Sequence, residues 1–191
     1  MAWGKAGSTT TTTTGDNVTV SGLSDNKFYM VLGHHLPSGN FRTTYRFNND
    51  SGSNYALRKS EDGGSENLTN NITDITLGNQ DAAYDYFDVS YLVNISTEEK
   101  LMINVNMRNG GNGAGNAPNI VQAVGKWDNT SSVISRIDAV NDQGGSYASG
   151  SNNSVLGSDG TASLNVQDGA IYYDTTLNKE YVLYDSTWTE L

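Results

Sequence analysis

Two neighbouring segments of this chain alternate apolar and polar residues with a period of two, and this pattern constrains the fold more than any other feature. The first segment, residues 85–95, puts one set of large apolar side chains on a single face: Phe87, Val89, Tyr91, Val93 and Ile95. The second, residues 100–108, does the same with Leu101, Ile103, Val105 and Met107, opposite Met102, Asn104, Asn106 and Arg108. A short polar loop, residues 96–99, joins them. Because a helix would need a period of 3.6, the pattern predicts a β-hairpin.

Further short strands are predicted on both sides of this hairpin, at residues 17–23, 27–36, 41–48, 55–59, 72–77, 119–127 and 133–141. Gly-rich or polar segments separate them, as expected when strands alternate with turns. The residues 144–161 are rich in Gly, Ser and Asn and are interpreted as a linker or long loop. No segment has the pattern of an amphipathic helix. The sequence therefore predicts an all-β protein, with a jelly-roll-like β-sandwich at residues 16–158.

The two ends of the chain differ from this body. Residues 8–14 are a serine and six threonines, which favour extended backbone but offer no apolar face, so residues 1–15 are predicted to be an extended arm or linker. Residues 163–191 are predicted to form a small C-terminal β-meander with strands at 163–166, 169–174, 180–184 and 187–191. Such a short module buries too little surface to be stable alone. We therefore expect it to pack on the main domain or on copies of itself.

Charge and composition exclude several classes of partner. The chain carries a formal net charge of −10 and has no basic stripe, so neither nucleic acid nor an anionic membrane is an expected partner. It has no cysteine, which excludes disulfides and thiol chemistry. The first residues lack the apolar stretch of a signal peptide, and no apolar run approaches membrane-spanning length. We expect synthesis in the cytoplasm.

Candidate catalytic and metal-binding residues were sought and none was retained. The only histidines, His34 and His35, are adjacent, so on a strand they point to opposite faces. Asp85 and Asp88 are also expected on opposite faces, and no nucleophile-elbow motif accompanies the histidines. The segment 48–54 superficially resembles a calcium loop but fails the EF-hand pattern, and a hairpin turn is predicted there. The sequence predicts no catalytic residue, no cofactor, no metal and no enzyme.

Aromatic residues near the two ends are the candidate interface residues: Trp3, Tyr173, Tyr181 and Trp188. Tryptophan and tyrosine are enriched in the parts of interfaces that contribute most to binding. Core packing is the interpretation we favour for the tryptophans in general: Trp127 ends a strand and could lie in the core, Trp188 is expected to pack within the C-terminal module, and Trp3 is the best placed to reach a neighbour.

The C-terminal segment resembles a short terminal module of bacteriophage tail-fibre and other virion proteins. The shared pattern is Gly, then Tyr-Asp-x-Thr-x-Asn-x-x-Tyr-Val, then Trp, and here it falls on Gly169, Tyr173, Asp174, Thr176, Asn178, Tyr181, Val182 and Trp188. The stretch from Asp174 to Asn178 is expected to be a hairpin turn. The opening of the chain, residues 1–10 and 15–23, and the segment 46–55 are similar to uncharacterised structural proteins of marine tailed viruses.

This resemblance implies a non-enzymatic virion structural protein, displayed on the particle surface, most simply as a capsid decoration or cement protein. The alternative is a tail-fibre or receptor-binding protein that recognises a host surface glycan. A polysaccharide-degrading viral enzyme would need a facing pair of carboxylates. The partners implied are the major capsid protein or tail proteins, the expected assembly is a homotrimer, and the expected location is the virion after synthesis in the host cytoplasm. The resemblance carries no catalytic residue to this chain.

Overall fold

The computed structural model describes residues 3–78, 84–160, 169–184 and 187–191, and every regular element in them is a β-strand. In chain order the strands are β1 (Gly4–Thr10), β2 (Asn17–Ser21), β3 (Phe28–His35), β4 (Pro37–Ser38), β5 (Thr43–Phe47), β6 (Tyr55–Glu61), β7 (Asn67–Ile72), β8 (Ile75–Thr76), β9 (Tyr86–Val93), β10 (Lys100–Arg108), β11 (Asn119–Trp127), β12 (Arg136–Asn141), β13 (Ser146–Tyr147), β14 (Asn152–Ser158), β15 (Ile171–Asp174), β16 (Lys179–Tyr184) and β17 (Thr187–Glu190). Residues 3–160 form one compact unit, and the described residues from 169 onward belong to another. The part of the chain that the structure describes contains no apolar helix of membrane-spanning length.

Eight of the strands have the connectivity of a jelly roll. One sheet contains β1, β14, β3 and β9 as successive hydrogen-bonded neighbours, and the other contains β2, β12, β5 and β8. We number these eight strands from one to eight along the chain. Their spatial order is then 1-8-3-6 in the first sheet and 2-7-4-5 in the second. This is the double Greek key of a jelly roll, and it confirms the predicted all-β, jelly-roll-like sandwich.

Two inserted strand pairs widen the first sheet. The strands β6 and β7 lie between β5 and β8 in the chain, and β10 and β11 lie between β9 and β12. All four continue the first sheet beyond β9, which gives the eight-stranded order β1-β14-β3-β9-β10-β11-β6-β7. We call this the larger sheet. The predicted hairpin is present as the antiparallel pair β9 and β10.

The core between the two sheets is rich in aromatic side chains. The largest fully buried ones are Tyr29, Phe41, Tyr45, Phe47, Tyr55, Tyr86, Trp127 and Tyr147. Phe41 and Tyr147 meet edge to face with ring centroids 4.7 Å apart, and Tyr55 stacks on Trp127 with centroids 6.3 Å apart. Aromatic pairs in such geometry each contribute about 0.5–1.5 kcal/mol beyond the area they bury. Trp127 is thus a core residue, as the sequence favoured.

The segment predicted as an extended N-terminal arm is partly a strand of this sandwich, which corrects the predicted boundary. Strand β1 pairs antiparallel with β14 at the edge of the larger sheet. The hydroxyl of Thr9 donates to the backbone oxygen of Thr19 at 2.6 Å. Gly7 lies so close to the core that an added Cβ would be 2.7 Å from a methyl carbon of Val20. Hydrogen bonds from the backbone and from hydroxyl groups hold this strand in the sheet. The strand therefore lacks the alternation of apolar residues from which a strand is predicted.

The interpretation of residues 144–161 as a linker or loop is wrong. They contain β13 and β14, and β14 lies between β1 and β3 in the larger sheet. Its inward side chain Asn153 is fully buried and donates from Nδ2 to the backbone oxygen of Val18 at 3.2 Å. Gly157 leaves room for Asn26, whose Nδ2 lies 2.4 Å from where a Cβ would be. Two of its inward positions, Asn153 and Gly157, meet polar groups, and only Val155 contributes to the hydrophobic core.

The hairpin turn predicted at residues 48–54 is also wrong, because this segment connects the two sheets instead of two paired strands. It leads from β5 in the smaller sheet to β6 in the larger. Both carboxylate oxygens of Asp50 accept N–H donors: the backbone of Gly52 at 2.8 Å, the side chain of Asn54 at 2.8 Å and the indole of Trp127 at 2.7 Å. Asp50 therefore fixes the loop and ties it to the core.

The C-terminal unit is a three-stranded antiparallel meander with the order β15-β16-β17, which confirms the predicted small β-meander. Its first turn forms as expected. The carboxylate of Asp174 accepts the backbone N–H groups of Thr176 and Leu177 at 2.8 and 2.9 Å, and Asn178 has a φ of 56°. An acidic residue that accepts hydrogen bonds from the backbone two residues on is a common turn device. The predicted strand at 163–166 lies outside the described residues.

The packing of Gly125 on β11 leads to a stability prediction. A Cβ at this position would lie 2.9 Å from the Cδ1 and Cγ2 atoms of Ile75. We expect Gly125→Ala to lower the free energy of unfolding by about 1–3 kcal/mol in urea denaturation, because overpacking forces side chains or backbone to move. Gly115→Ala is the control, since no atom lies within 4 Å of a Cβ there.

A second substitution separates overpacking from a general loss of stability. Ile75→Val removes the Cδ1 methyl that the new Cβ meets, so the double variant should lose less stability than the two single variants together. Equal stability of Gly125→Ala and the unchanged protein would contradict this account of the packing.

Candidate interaction surface

The alternating hairpin of β9 and β10 turns its apolar side to solvent. The large apolar side chains of both strands are exposed: Phe87, Tyr91, Leu101, Ile103 and Met107. The buried positions of the same strands are mostly polar: Asp88, Ser90, Lys100, Asn104 and Asn106, besides Tyr86, Leu92 and Met102. The faces predicted from the sequence are therefore real, but the more apolar one lies outside the sandwich.

Neighbouring strands extend this exposed surface. We define the apolar face as the outward apolar side chains of β3, β9, β10 and β11: Phe28, Met30, Leu32, Phe87, Val89, Tyr91, Val93, Leu101, Ile103, Val105, Met107, Ile120 and Val124. Each is exposed or partly exposed. Residues directly opposite each other on neighbouring strands share a face and lie within about 5.5 Å of each other at Cβ. The side chains therefore form one continuous surface.

The middle of the apolar face shows this continuity in a single row across the strands. Tyr91 lies opposite Met30 on one side and Ile103 on the other, and Ile103 lies opposite Val124. Ile103 is 59% exposed and Val124 is 47% exposed. Exposed apolar patches larger than a few hundred Å² are uncommon on soluble monomers and mark interaction sites.

Charge is nearly absent from the same surface. The remaining outward positions of the four strands are His34, Gln122 and Lys126, and none is acidic. The ammonium of Lys126 is already paired, since it donates to the two carboxylate oxygens of Glu99 at 3.0 and 2.8 Å. A protein with a net charge of −10 thus keeps its carboxylates off the outward positions of these four strands.

One of the four sequence-predicted interface residues lies at this surface. The ring of Trp3 meets that of Tyr91 edge to face, with centroids 6.5 Å apart. Trp3 remains 36% exposed, so it can contact a further molecule. Tyr91 and the aliphatic residues around it were not selected as interface residues from the sequence.

The other three predicted interface residues, Tyr173, Tyr181 and Trp188, lie in the C-terminal unit. Tyr181 and Trp188 both contact the ring of Tyr172, which was not selected as an interface residue from the sequence. Tyr172 stacks on Tyr181 with ring centroids 5.1 Å apart and meets Trp188 edge to face at 4.8 Å. Tyr173 is the next residue on the strand and so lies on the other face of this small sheet. Its hydroxyl donates to the side-chain oxygen of Asn178 in the turn.

Behind the apolar face, on the inner side of the same strands, is a buried polar cluster. We define it as His35, Thr43, Tyr45, Asp88, Ser90, Asn104 and Asn153, each at most 1% exposed. The hydroxyl of Tyr45 donates to Asp88 Oδ2 at 2.8 Å, and Asn104 donates to the hydroxyl of Ser90 at 2.9 Å. Gly33 makes room for this arrangement, since a Cβ there would lie 2.2 Å from Asp88 Oδ1.

The complete burial of His35 favours a neutral imidazole. Its Nε2 lies 2.9 Å from Asn153 Oδ1, which can only accept, so Nε2 carries a proton. Its Nδ1 accepts from the hydroxyl of Thr43 at 3.2 Å and lies 3.4 Å from Asp88 Oδ1. Burial lowers the pKa of His35 despite the nearby carboxylate, and burial raises the pKa of Asp88. Both shifts favour the uncharged forms, and solvent has no access to either group.

The adjacent histidines are separated as the sequence predicted, because His34 is exposed whereas His35 is buried. Among the residues that the structure describes, no group of three or more histidines or acids is placed to hold a metal ion. The His35–Asp88 pair is the arrangement closest to acid–base chemistry, and its complete burial makes it a structural element in this conformation.

A cleft of about 550 Å³ opens beside β6 and β7 and is lined by Arg42, Leu57, Lys59, Thr69, Ile72, Thr73, Asp74, Thr76 and Asp142. Its charged groups are largely paired within the protein. The guanidinium of Arg42 donates to Asp142 at 2.9 and 3.0 Å, and Asp74 accepts from Arg46 at 3.2 Å. No aromatic side chain is found among these described lining residues. The cleft therefore offers no aromatic ring on which a sugar could stack.

No protein-family model, curated protein or solved structure matches this chain. Functional conclusions consequently rest on the site itself: a neutral apolar face on one side of the larger sheet and an aromatic cluster on the C-terminal unit.

Proposed function

We propose that this protein is a non-enzymatic structural protein of a virus particle, displayed on the particle surface as a capsid decoration or cement protein. The observation that carries the proposal is the apolar face. Leaving many large apolar side chains in water is unfavourable by about 25 cal/mol for each Å² that a partner would cover. A protein built this way is suited to work inside an assembly, where a neighbouring protein covers that face.

Two further features support a virus particle as that assembly. The C-terminal unit resembles modules of tail-fibre and other virion proteins, and the segment in question is a compact aromatic meander. The jelly roll is a recurrent architecture of viral capsid domains, although the same fold also serves lectins and other proteins. The partners in this proposal are the major capsid protein or tail proteins together with sister copies of the chain, the homotrimer implied by the resemblance being one such assembly.

A second candidate is a tail-fibre or receptor-binding protein that recognises a host glycan. It is favoured by the exposed aromatic cluster of Tyr172, Tyr181 and Trp188, since aromatic rings can stack on sugars. This candidate places the protein at the tail and makes the C-terminal unit its binding element, whereas a decoration protein covers the head.

Purified particles of a virus that encodes this chain test both candidates. We expect peptides from residues 16–158 to be present in amounts comparable to the major capsid protein, and gold-labelled antibodies against the chain to decorate the heads of intact particles. Labelling confined to the tail tip would favour the receptor-binding candidate. A chain abundant in infected cells but missing from gradient-purified particles would overturn the virion proposal altogether.

A further inference from the structure

We propose that the apolar face is covered by another copy of this chain, so that copies associate through their larger sheets. The proposed function leaves open which protein covers the apolar face. Association of two copies through this face does not depend on whether the protein belongs to a virus particle.

The size of the apolar face fits such an association. Its four strands are 8 or 9 residues long. With strands about 4.8 Å apart and a rise of about 3.4 Å per residue, they cover roughly 500 Å² in projection. The accessible surface of protruding side chains exceeds their projection, and a standard interface buries about 800 Å² on each partner. The surface is therefore in the range that a stable association between two proteins needs.

The chemistry of the face favours a like surface as its occupant. Its centre is aliphatic and aromatic, and its one charged side chain among the outward positions, Lys126, is neutralised by Glu99. An acidic or basic partner would find no opposite charge there to select it. A second copy offers the same apolar surface, and although each copy has a net charge of −10, no acidic residue occupies an outward position of the four strands and Glu99 beside them is paired with Lys126.

The geometry of a sheet also allows two such faces to pack. Sheets stack about 10 Å apart with their side chains interdigitating, as in the interior of a β-sandwich. Contacts between identical surfaces are the commonest way in which soluble proteins form closed oligomers. Trp3, which rests against Tyr91, would extend the contact beyond the four strands.

Light scattering of the full-length protein tests the inference. We expect a mass that is a multiple of the 20.5 kDa chain. Ile103→Glu places a carboxylate in the middle of the face and should raise the dissociation constant by roughly 30-fold or more. Val124→Glu, in the same row, should do the same. Because both side chains are about half exposed, each variant should keep the far-UV circular dichroism spectrum of the unchanged protein.

Leu177→Glu is the matched control. It makes a similar change at a side chain that is 58% exposed, against 59% for Ile103, but lies in the turn of the C-terminal unit. We expect it to keep the mass of the unchanged protein. A monomeric full-length protein would overturn the inference, as would an oligomer that survives both Ile103→Glu and Val124→Glu. Loss of the oligomer in Leu177→Glu alone would assign self-association to the C-terminal unit. A negative result with virus particles would leave these measurements unaffected.

Discussion

Asp88→Ala should lower the free energy of unfolding by about 2–5 kcal/mol, because two buried polar groups lose their partner at a cost of about 1–3 kcal/mol each. Asp88 is fully buried and accepts the hydroxyl of Tyr45 at 2.8 Å. Its removal leaves that hydroxyl and the ring of His35 without their partner, and it opens a space beside Gly33 that water cannot easily reach. Urea denaturation followed by circular dichroism measures the loss.

Two matched variants show whether the loss comes from the cluster. Asp85→Ala removes an exposed carboxylate three residues away and should change stability by no more than about 0.5 kcal/mol. Asp88→Asn keeps the shape and is uncharged, and its amide can donate to Nδ1 of His35. Because burial raises the pKa of Asp88 and so favours the neutral acid, the amide should be tolerated much better than alanine. If alanine and asparagine cost the same, the hydrogen bonds of the cluster do not contribute as described.

The stability of the protein should fall as the pH drops below about 6.5, and His35 should be the cause. Burial lowers the pKa of His35 from the ordinary value of 6.5, so the unfolded chain takes up this proton first. The stabilisation is complete above the ordinary pKa and is lost as the pH falls towards the lowered one, with a slope of at most about 1.4 kcal/mol per pH unit. Urea denaturation between about pH 7 and pH 5 measures this slope.

Asp88 acts in the opposite direction. Burial raises its pKa above the ordinary value of 3.8, so the folded protein takes up this proton first and gains stability as the pH falls through the raised pKa. The net loss of stability below pH 6.5 should therefore be smaller wherever Asp88 also takes up its proton. Besides Asp88 and the adjacent His34, the ionisable groups around His35 include Tyr45 and Tyr147, and burial raises the pKa of both well above 10, so these two do not titrate in this range.

The neighbouring histidine provides the control for the pH experiment. His35→Gln should remove most of the dependence of stability on pH below 6.5, whereas His34→Gln, at an exposed position of the same strand, should retain it. A slope that persists in His35→Gln would mean that other groups are responsible for the acid sensitivity.

Local patterns in the sequence predicted much of the architecture. Strand periodicity located the pair β9 and β10, and turn residues located the first turn of the C-terminal meander, because both depend on interactions between residues that are close in the chain. The strands that the sequence did not predict include β7, the two-residue strands β4 and β13, and the two sandwich strands β1 and β14. The two sandwich strands are held by backbone hydrogen bonds, hydroxyls and small residues, as at Gly7 and Asn153, so they have no apolar periodicity.

For the candidate site, the sequence by itself determined which residues share a face, and only the tertiary structure decided which face is buried. A period of two places Ile103 with Leu101 on one face of β10, and Asp88 with Ser90 on one face of β9, wherever the strands lie. Apolar residues usually face inward, but a polar face can be buried if its groups find partners. For Asp88 those partners are His35 and Tyr45, which both contact Asn153 as well; the three come from β3, β5 and β14, each far from β9 in the chain. Their meeting with Asp88 is a property of the jelly-roll topology, and it leaves the apolar face outside.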